Sequence, residues 1–142
     1  MSTQRGALHL VVELDPGVSA VMQMGLEADG ACRVTSAPTA EDALGIIARD
    51  RPDAAIIAAV LPKLSGIDLA SRALDRSIPV LLTCGHPDTA LKLEQAGCRF
   101  LMKPFRIKRL LAETRALLDD AQQREAALAI QLKRLVAGTP RH

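Results

Sequence analysis

Three polar side chains follow short apolar runs, at positions where a parallel sheet would bring them together. Glu13 follows one run, Thr83 ends a second and Lys103 follows a third, whereas the run from Ala54 to Ala59 ends without a polar side chain. The carboxyl ends of parallel strands open onto a crevice where ligands bind. An acid, a hydroxyl and an ammonium group are therefore expected to surround Ala58. The pattern predicts a site whose central reactive group is missing.

The elements that must position these side chains alternate along the chain. Candidate strands lie at 8–12, 31–36, 54–59, 78–83 and 98–102, and helical patterns lie at about 16–28, 39–50, 65–75 and 87–96, with another after Phe105. Such alternation is typical of a parallel sheet with right-handed crossovers and helices on both faces. We therefore expect an α/β fold, a doubly wound five-stranded parallel sheet in the order 2-1-3-4-5.

In this order and spacing the chain resembles the receiver domain of bacterial two-component response regulators, over about residues 7–119. The matching motifs are the acidic loop after the first strand, the phosphoacceptor strand with its loop, the switch hydroxyl and aromatic positions, and the lysine-proline-phenylalanine signature: Glu13-Leu14-Asp15, residues 52–66, Thr83, Phe100 and Lys103-Pro104-Phe105. The resemblance implies the flavodoxin-like receiver fold and a role in phosphorelay signal transduction.

The chain departs from the family at two positions of the implied phosphorylation pocket. In the family an aspartate at the position of Ala58 accepts a phosphoryl group from a histidine kinase, and an acidic pair binds Mg²⁺. Ala58 has no oxygen to phosphorylate, and Leu14 occupies the second acidic position, so only Glu13 remains of the pair. We therefore expect a degenerate receiver, a pseudo-receiver that is not an enzyme and holds no metal or cofactor. With fewer acids in the crevice, Glu13 and Lys103 should pair directly or through water.

The residues that respond to phosphorylation in the family are still present. Thr83, Phe100 and Pro104 match its switch and interaction positions, on the face formed by helix four, strand five and helix five. They are explained either by packing or by a face that is held in one state or switched by a partner. Two other classes of function stay open: a redox- or metal-responsive sensor that uses Cys84 and His86, and a purely structural oligomerisation module.

The last helix continues beyond the length that a receiver needs. No Gly or Pro interrupts residues 107–137, and an apolar pattern continues at the spacing of a short coiled coil. The positions expected in its dimerisation seam are Leu118, Ala121, Leu128, Leu132 and Leu135. The predicted organisation is a receiver-like domain at 7–119, a helical extension at 120–137, and terminal segments at 1–6 and 138–142. A homodimer is the first expectation, a partner protein's helix the second, and packing against its own domain the third.

Composition limits the classes of partner. Residues 1–98 hold 8 Lys and Arg against 12 Asp and Glu, and residues 99–142 hold 10 against 4, so the basic excess lies in the last third. The chain has two Phe and no Trp or Tyr, which removes the stacking surfaces of most single-stranded nucleic-acid binders. No apolar run approaches the roughly 20 residues of a membrane span. We expect a cytoplasmic protein whose partners are a second copy and a histidine kinase or another signalling protein, not nucleic acid or membrane.

Overall fold

A computed structural model describes residues 6–28, 30 and 32–137, with the backbone alone for residues 121–129. Within these residues five strands alternate with five helices: β1 (Ala7–Val12), α1 (Pro16–Ala28), β2 (Cys32–Ala37), α2 (Ala40–Asp50), β3 (Ala54–Ala58), α3 (Gly66–Asp75), β4 (Val80–Cys84), α4 (Pro87–Gln95), β5 (Phe100–Met102) and α5 (Ile107–Ala137). The strands form one parallel sheet in the order β2-β1-β3-β4-β5. The predicted fold class and strand order are confirmed.

Side-chain hydroxyls and carboxylates begin three of the helices, as their sequence positions indicate. Asp15 accepts backbone N–H bonds from Gly17 and Val18 at the start of α1. Thr39 accepts one from Asp42 in α2, and Ser65 accepts one from Asp68 in α3. These acceptors satisfy N–H groups that the first turn of a helix leaves without partners. Strand β4 begins at Val80 rather than at the expected residue 78, because Pro79 has no N–H for the ladder.

The alternating side chains of the strands form two apolar layers, one on each face of the sheet. One layer lies under α2, α3 and α4 and includes Leu10, Ile57 and Leu82. The other lies under α1 and the first half of α5 and includes Val11 and Ile56. Strand β3 is buried along its whole length, as expected of an inner strand of a parallel sheet.

The two halves of α5 pack against different faces of the sheet. Leu110 and Leu117 belong to the layer under α1, whereas Leu132, with 1% of its surface exposed, belongs to the layer that contains α3. Residues 118–131 therefore carry the chain from one face to the other, and their backbone stays helical. Although α5 has 31 residues, neither it nor any other helix in the described part of the chain is apolar enough to cross a membrane.

This packing differs from the predicted dimerisation seam. Leu132 and Leu135 are not left exposed to solvent, because they pack against the domain of their own chain. The physical reason is that a heptad stripe specifies contact with another helix, and α3 of the same chain supplies one. Leu118 is 36% exposed, and the side chains of Ala121 and Leu128 lie outside the described residues. Dimer formation itself stays a prediction.

Candidate functional site

The predicted crevice exists at the carboxyl end of the sheet. Glu13 directly follows β1, Ala58 ends β3, and Thr83 lies opposite Ala58 in the parallel register of β3 and β4. Lys103 follows β5, and its backbone N–H bonds to the carbonyl of Cys84 at 2.8 Å. The ends of four neighbouring strands thus position the four side chains that sequence reasoning assigned to one place.

An ion pair closes the crevice. Lys103 Nζ lies 2.7 Å from Glu13 Oε1, and the Glu13 side chain is only 5% exposed while that of Lys103 is 31% exposed. The second carboxylate oxygen of Glu13 accepts a bond from the backbone N–H of Asp15 at 3.2 Å. Both oxygens of the buried carboxylate therefore have donors, which a buried charge requires. Glu13 and Lys103, which were expected to pair directly or through water, pair directly.

Of the other two residues of the acidic loop, Asp15 bonds to the start of α1 and Leu14 carries no charge. Asp15 Oδ1 accepts the backbone N–H groups of Gly17 at 2.8 Å and Val18 at 3.2 Å, so this carboxylate caps α1. Leu14, between the two acids, is 53% exposed. Of the two carboxylates in this loop, that of Glu13 is bonded to Lys103 and that of Asp15 caps α1.

The loop after β3 is tightly built although it carries no acid. Gly66 donates its N–H to the Ala59 carbonyl at 3.0 Å, and a Cβ at position 66 would collide with the backbone carbonyl of Ala58. Lys63 in the same loop has a φ of 69°, in the left-handed region that residues other than glycine seldom adopt. Ala58 is 5% exposed and Val60 is 65% exposed. The backbone beside position 58 is thus held closely by a glycine that the loop geometry requires.

Thr83 brings a buried hydroxyl to the carboxyl end of the sheet. Its side chain is 1% exposed, and its hydroxyl has no hydrogen-bond partner among the described residues. A buried hydroxyl without a partner costs free energy relative to an apolar side chain of the same shape. Packing in β4 therefore does not by itself explain a hydroxyl at this position.

The remaining switch positions, Phe100 and Pro104, lie beside the crevice. Phe100 is half-buried in β5 and packs against the layer that contains α3 and α4. Pro104 is exposed and follows Lys103 through a cis peptide bond. A cavity of about 690 Å³ opens between β5 and α5, lined in part by Phe100, Met102 and Arg106. The β5–α5 junction thus presents an apolar groove with a basic rim.

The surroundings of Cys84 and His86 do not favour the redox or metal site considered for them. Cys84 is buried at the end of β4, its thiol donates to the sulfur of Met102 at 3.5 Å, and burial raises the pKa of the thiol. His86 is exposed and begins α4 without a side-chain capping bond. A raised pKa disfavours the thiolate that redox reaction and metal binding both need. Among the described residues, no three His, Cys, Asp or Glu side chains gather as a metal site.

The other cysteines and His9 are packed, as their apolar surroundings indicate. Burial raises the pKa of Cys98 to about 11, and Cys32, half-buried, donates its thiol to the carbonyl of Leu26. His9 in β1 is 4% exposed, and burial lowers its pKa while the nearby Asp53 carboxylate acts in the opposite direction. Cys84 and Cys98 are free thiols.

Sequence reasoning missed one polar cluster that anchors α5. Arg99, just before β5, bonds to Glu113 at 3.0 Å and to Asp120 at 2.8 Å. The two acids are seven positions apart on the helix, which places them on one face two turns apart. That spacing was a signal for a common partner, but nothing in the sequence identified Arg99 as that partner.

Comparison with known proteins agrees with this geometry. The model of the response regulator receiver domain family matches residues 10–115. The chain is 30% identical over 129 residues to Response regulator MprA of Mycobacterium bovis, covering 87% of this chain and 56% of that protein. It is 35% identical over 113 residues to Transcriptional regulatory protein CseB of Streptomyces coelicolor, covering 77% and 48%. The chain thus spans about half the length of these relatives.

Solved structures show the same fold. The signal receiver domain of an HD domain-containing protein from Pseudomonas fluorescens Pf-5 superposes with a TM-score of 0.73 at 26% identity, covering 84% of this chain and 99% of that one. A CheY-like receiver domain protein from Methanospirillum hungatei JF-1 gives a TM-score of 0.73 at 24% identity, covering 83% and 98%. With the family match over most of its length, this chain belongs to the response regulator receiver domain family.

Proposed function

We propose that this receiver domain works in two-component signalling without being phosphorylated at position 58, and that it acts by binding other proteins. The observation that carries the proposal is the crevice itself, where Ala58 stands at the end of β3 and Lys103 bonds to Glu13 at 2.7 Å. Phosphoryl transfer depends on positioning and on neutralising charge. Here a lysine already neutralises the remaining carboxylate.

The side-chain oxygens of the crevice do not fit the coordination of Mg²⁺. This ion takes carboxylate and phosphate oxygens together with water in octahedral geometry. Both Glu13 oxygens have protein donors, Asp15 Oδ1 accepts two backbone N–H groups, and Leu14 and Ala58 have no side-chain oxygen. The crevice is therefore not expected to hold Mg²⁺.

Acetyl phosphate with Mg²⁺ tests the proposal directly. The intact mass of the full chain should stay unchanged, because no aspartate stands at position 58. The matched control is the double variant Ala58→Asp with Leu14→Asp, which places one acid at the end of β3, beside Gly66, and the other in the loop after β1. The control should gain measurable Mg²⁺ binding by calorimetry. A stable phosphoryl adduct on the unaltered chain would overturn the proposal.

The proposed contact surface is the groove between β5 and α5. It combines apolar residues from β5 with the exposed cations Arg106, Lys108 and Arg109 around a cavity of about 690 Å³. A histidine kinase or another signalling protein with an acidic and apolar surface would complement it. The expectation that nucleic acid is not a partner stays a prediction. The relative named a transcriptional regulatory protein is about twice as long as the part that this chain matches.

Capture of partners on the immobilised chain tests this surface. Arg106→Glu should abolish retention of the captured protein, because it reverses charge on the rim of the groove. Arg33→Glu, an equal change at an exposed residue of β2 on the far edge of the sheet, is the matched control and should leave retention unchanged. Equal retention by both variants would show that the groove is not the contact surface.

A further inference from the structure

The arm, residues 130–137 of α5, packs against the domain through a small set of well-defined contacts. Leu132 is 1% exposed, and Leu135 packs against the same apolar layer as α3. Lys133 Nζ lies 3.0 Å from Asp75 Oδ1 at the end of α3. The arm therefore matches the surface of α3 in both its apolar face and its charge.

The connector, residues 119–129, joins two parts of α5 that pack against opposite faces of the sheet. It carries the chain between the two faces of the sheet while its backbone stays helical. Sharp bends in helices almost always occur at Pro, at Gly and Ser pairs or at helical bulges. The connector contains no Gly, Pro or Ser, and four of its eleven residues are Ala, the strongest helix former. Its sequence favours a straight helix, whereas the arm's contacts with α3 require the chain to cross over.

Straightening the connector would remove the conflict but would take the arm away from its own α3. Leu132 and the apolar surface beneath it would then both lie in water. A second copy of the chain offers the arm an α3 surface of identical chemistry and shape, including Asp75. Exchange of an identical element between two copies restores every native contact. The exchanged dimer therefore differs from two closed monomers only in the shape of the connector and in the entropy lost when two molecules associate.

We propose that two copies of this chain exchange their arms, each arm packing against α3 of the other copy through Leu132, Leu135 and the pair of Lys133 with Asp75. The surface on α3 is thus a binding site for the same segment of a second molecule. This inference does not depend on the chemistry at position 58, so it stands or fails independently of the proposed function.

Isotope mixing with cross-linking distinguishes an exchanged arm from a closed one. Unlabelled and ¹⁵N-labelled full-length chains are refolded together, separated into monomer and dimer by size exclusion with light scattering, and treated with a carbodiimide. This reagent converts the Lys133 ammonium and the Asp75 carboxylate into an amide. In the dimer, about half of the Lys133–Asp75 links should join a labelled to an unlabelled chain, as symmetric exchange requires.

Two results would overturn the proposal. One is a dimer in which every Lys133–Asp75 link joins chains of the same label, which would indicate association through another surface. The other is a protein that remains a monomer at the highest concentration reached. Mixed links in the monomer fraction cannot form, so that fraction serves as the internal control.

Connector variants test the physical cause. Gln122→Ala with Gln123→Ala stiffens the helix, and Gln122→Gly with Gln123→Gly eases its bending. The dissociation constant of the dimer should be lower for the Ala pair, because neighbouring Gly residues ease the bend that the closed form needs, whereas the exchanged form needs none. Equal dissociation constants for the two folded variants would contradict the role assigned to the connector.

Discussion

Two lysine–carboxylate pairs join distant parts of this chain. They share the same chemistry but differ in burial and in the elements that hold them. The pair of Glu13 and Lys103 spans 2.7 Å, with a carboxylate that is 5% exposed. The pair of Lys133 and Asp75 spans 3.0 Å, with side chains that are 59% and 46% exposed. The first is fixed by two strands of the sheet, whereas the second depends on how the arm packs. Burial and backbone support, not the ion pair alone, decide whether such a contact is permanent.

The largest difference should appear when the lysine of the crevice is removed. Lys103→Met leaves the buried Glu13 carboxylate without its cation, which should lower the free energy of unfolding by about 3 kcal/mol, the low end for a buried pair because Lys103 itself is partly exposed. Denaturant unfolding at neutral pH measures this loss. Lys108→Met, at an exposed lysine on α5, is the control and should change little. Equal stability of the two variants would contradict a structural role for the crevice pair.

Loss of the apolar part of the arm's contact should have an effect of similar size. Leu132→Ala removes a side chain that is 1% exposed, and should cost about 2–4 kcal/mol in the closed or the exchanged form. Ile130→Ala, two positions away at a side chain that is 56% exposed, should cost much less. Thermal unfolding monitored by circular dichroism at 222 nm compares them. If Ile130→Ala proved as costly as Leu132→Ala, the arm would not pack as described.

A smaller effect of opposite sign should appear at the hydroxyl of Thr83. Thr83→Val replaces a buried group without a partner by an apolar one of similar shape, and should raise the free energy of unfolding by about 1 kcal/mol. Thr114→Val is the contrasting variant, because the Thr114 hydroxyl donates to the carbonyls of Leu110 at 2.9 Å and Leu111 at 3.0 Å. Its loss should destabilise by a similar amount. A destabilised Thr83→Val would indicate that the hydroxyl has a partner in solution.

The smallest effect should come from the exposed pair. Lys133→Ala should change the free energy of unfolding by less than about 1 kcal/mol, since exposed ion pairs contribute little. Its effect should shrink further in high salt, because salt screens charges at the surface. Unfolding curves at low and high ionic strength provide the measurement. A loss as large as that of Lys103→Met would remove the distinction between the two pairs.

The sequence predicted the crevice better than it predicted the arm. Glu13, Thr83 and Lys103 each end or follow a strand, and parallel topology brings strand ends together whatever the loops do. The arm lacked such a constraint, because the spacing of Leu132 and Leu135 predicts an apolar helix face but not the helix that covers it. The pairing of Arg99 with Asp120 could not be predicted either, since it depends on which turn of α5 packs beside the start of β5.

The double ion pair of Arg99 has a consequence for how the molecule opens. It fastens α5 at Glu113 and Asp120 to the residue before β5, so the helix is tied to the sheet up to position 120 and no further by this cluster. In native-state hydrogen exchange, amides of α5 before this point should be protected by opening of the whole domain. Amides beyond it should exchange through a separate and less costly opening. One continuous helix would then report two distinct cooperative units, with Arg99 marking the boundary.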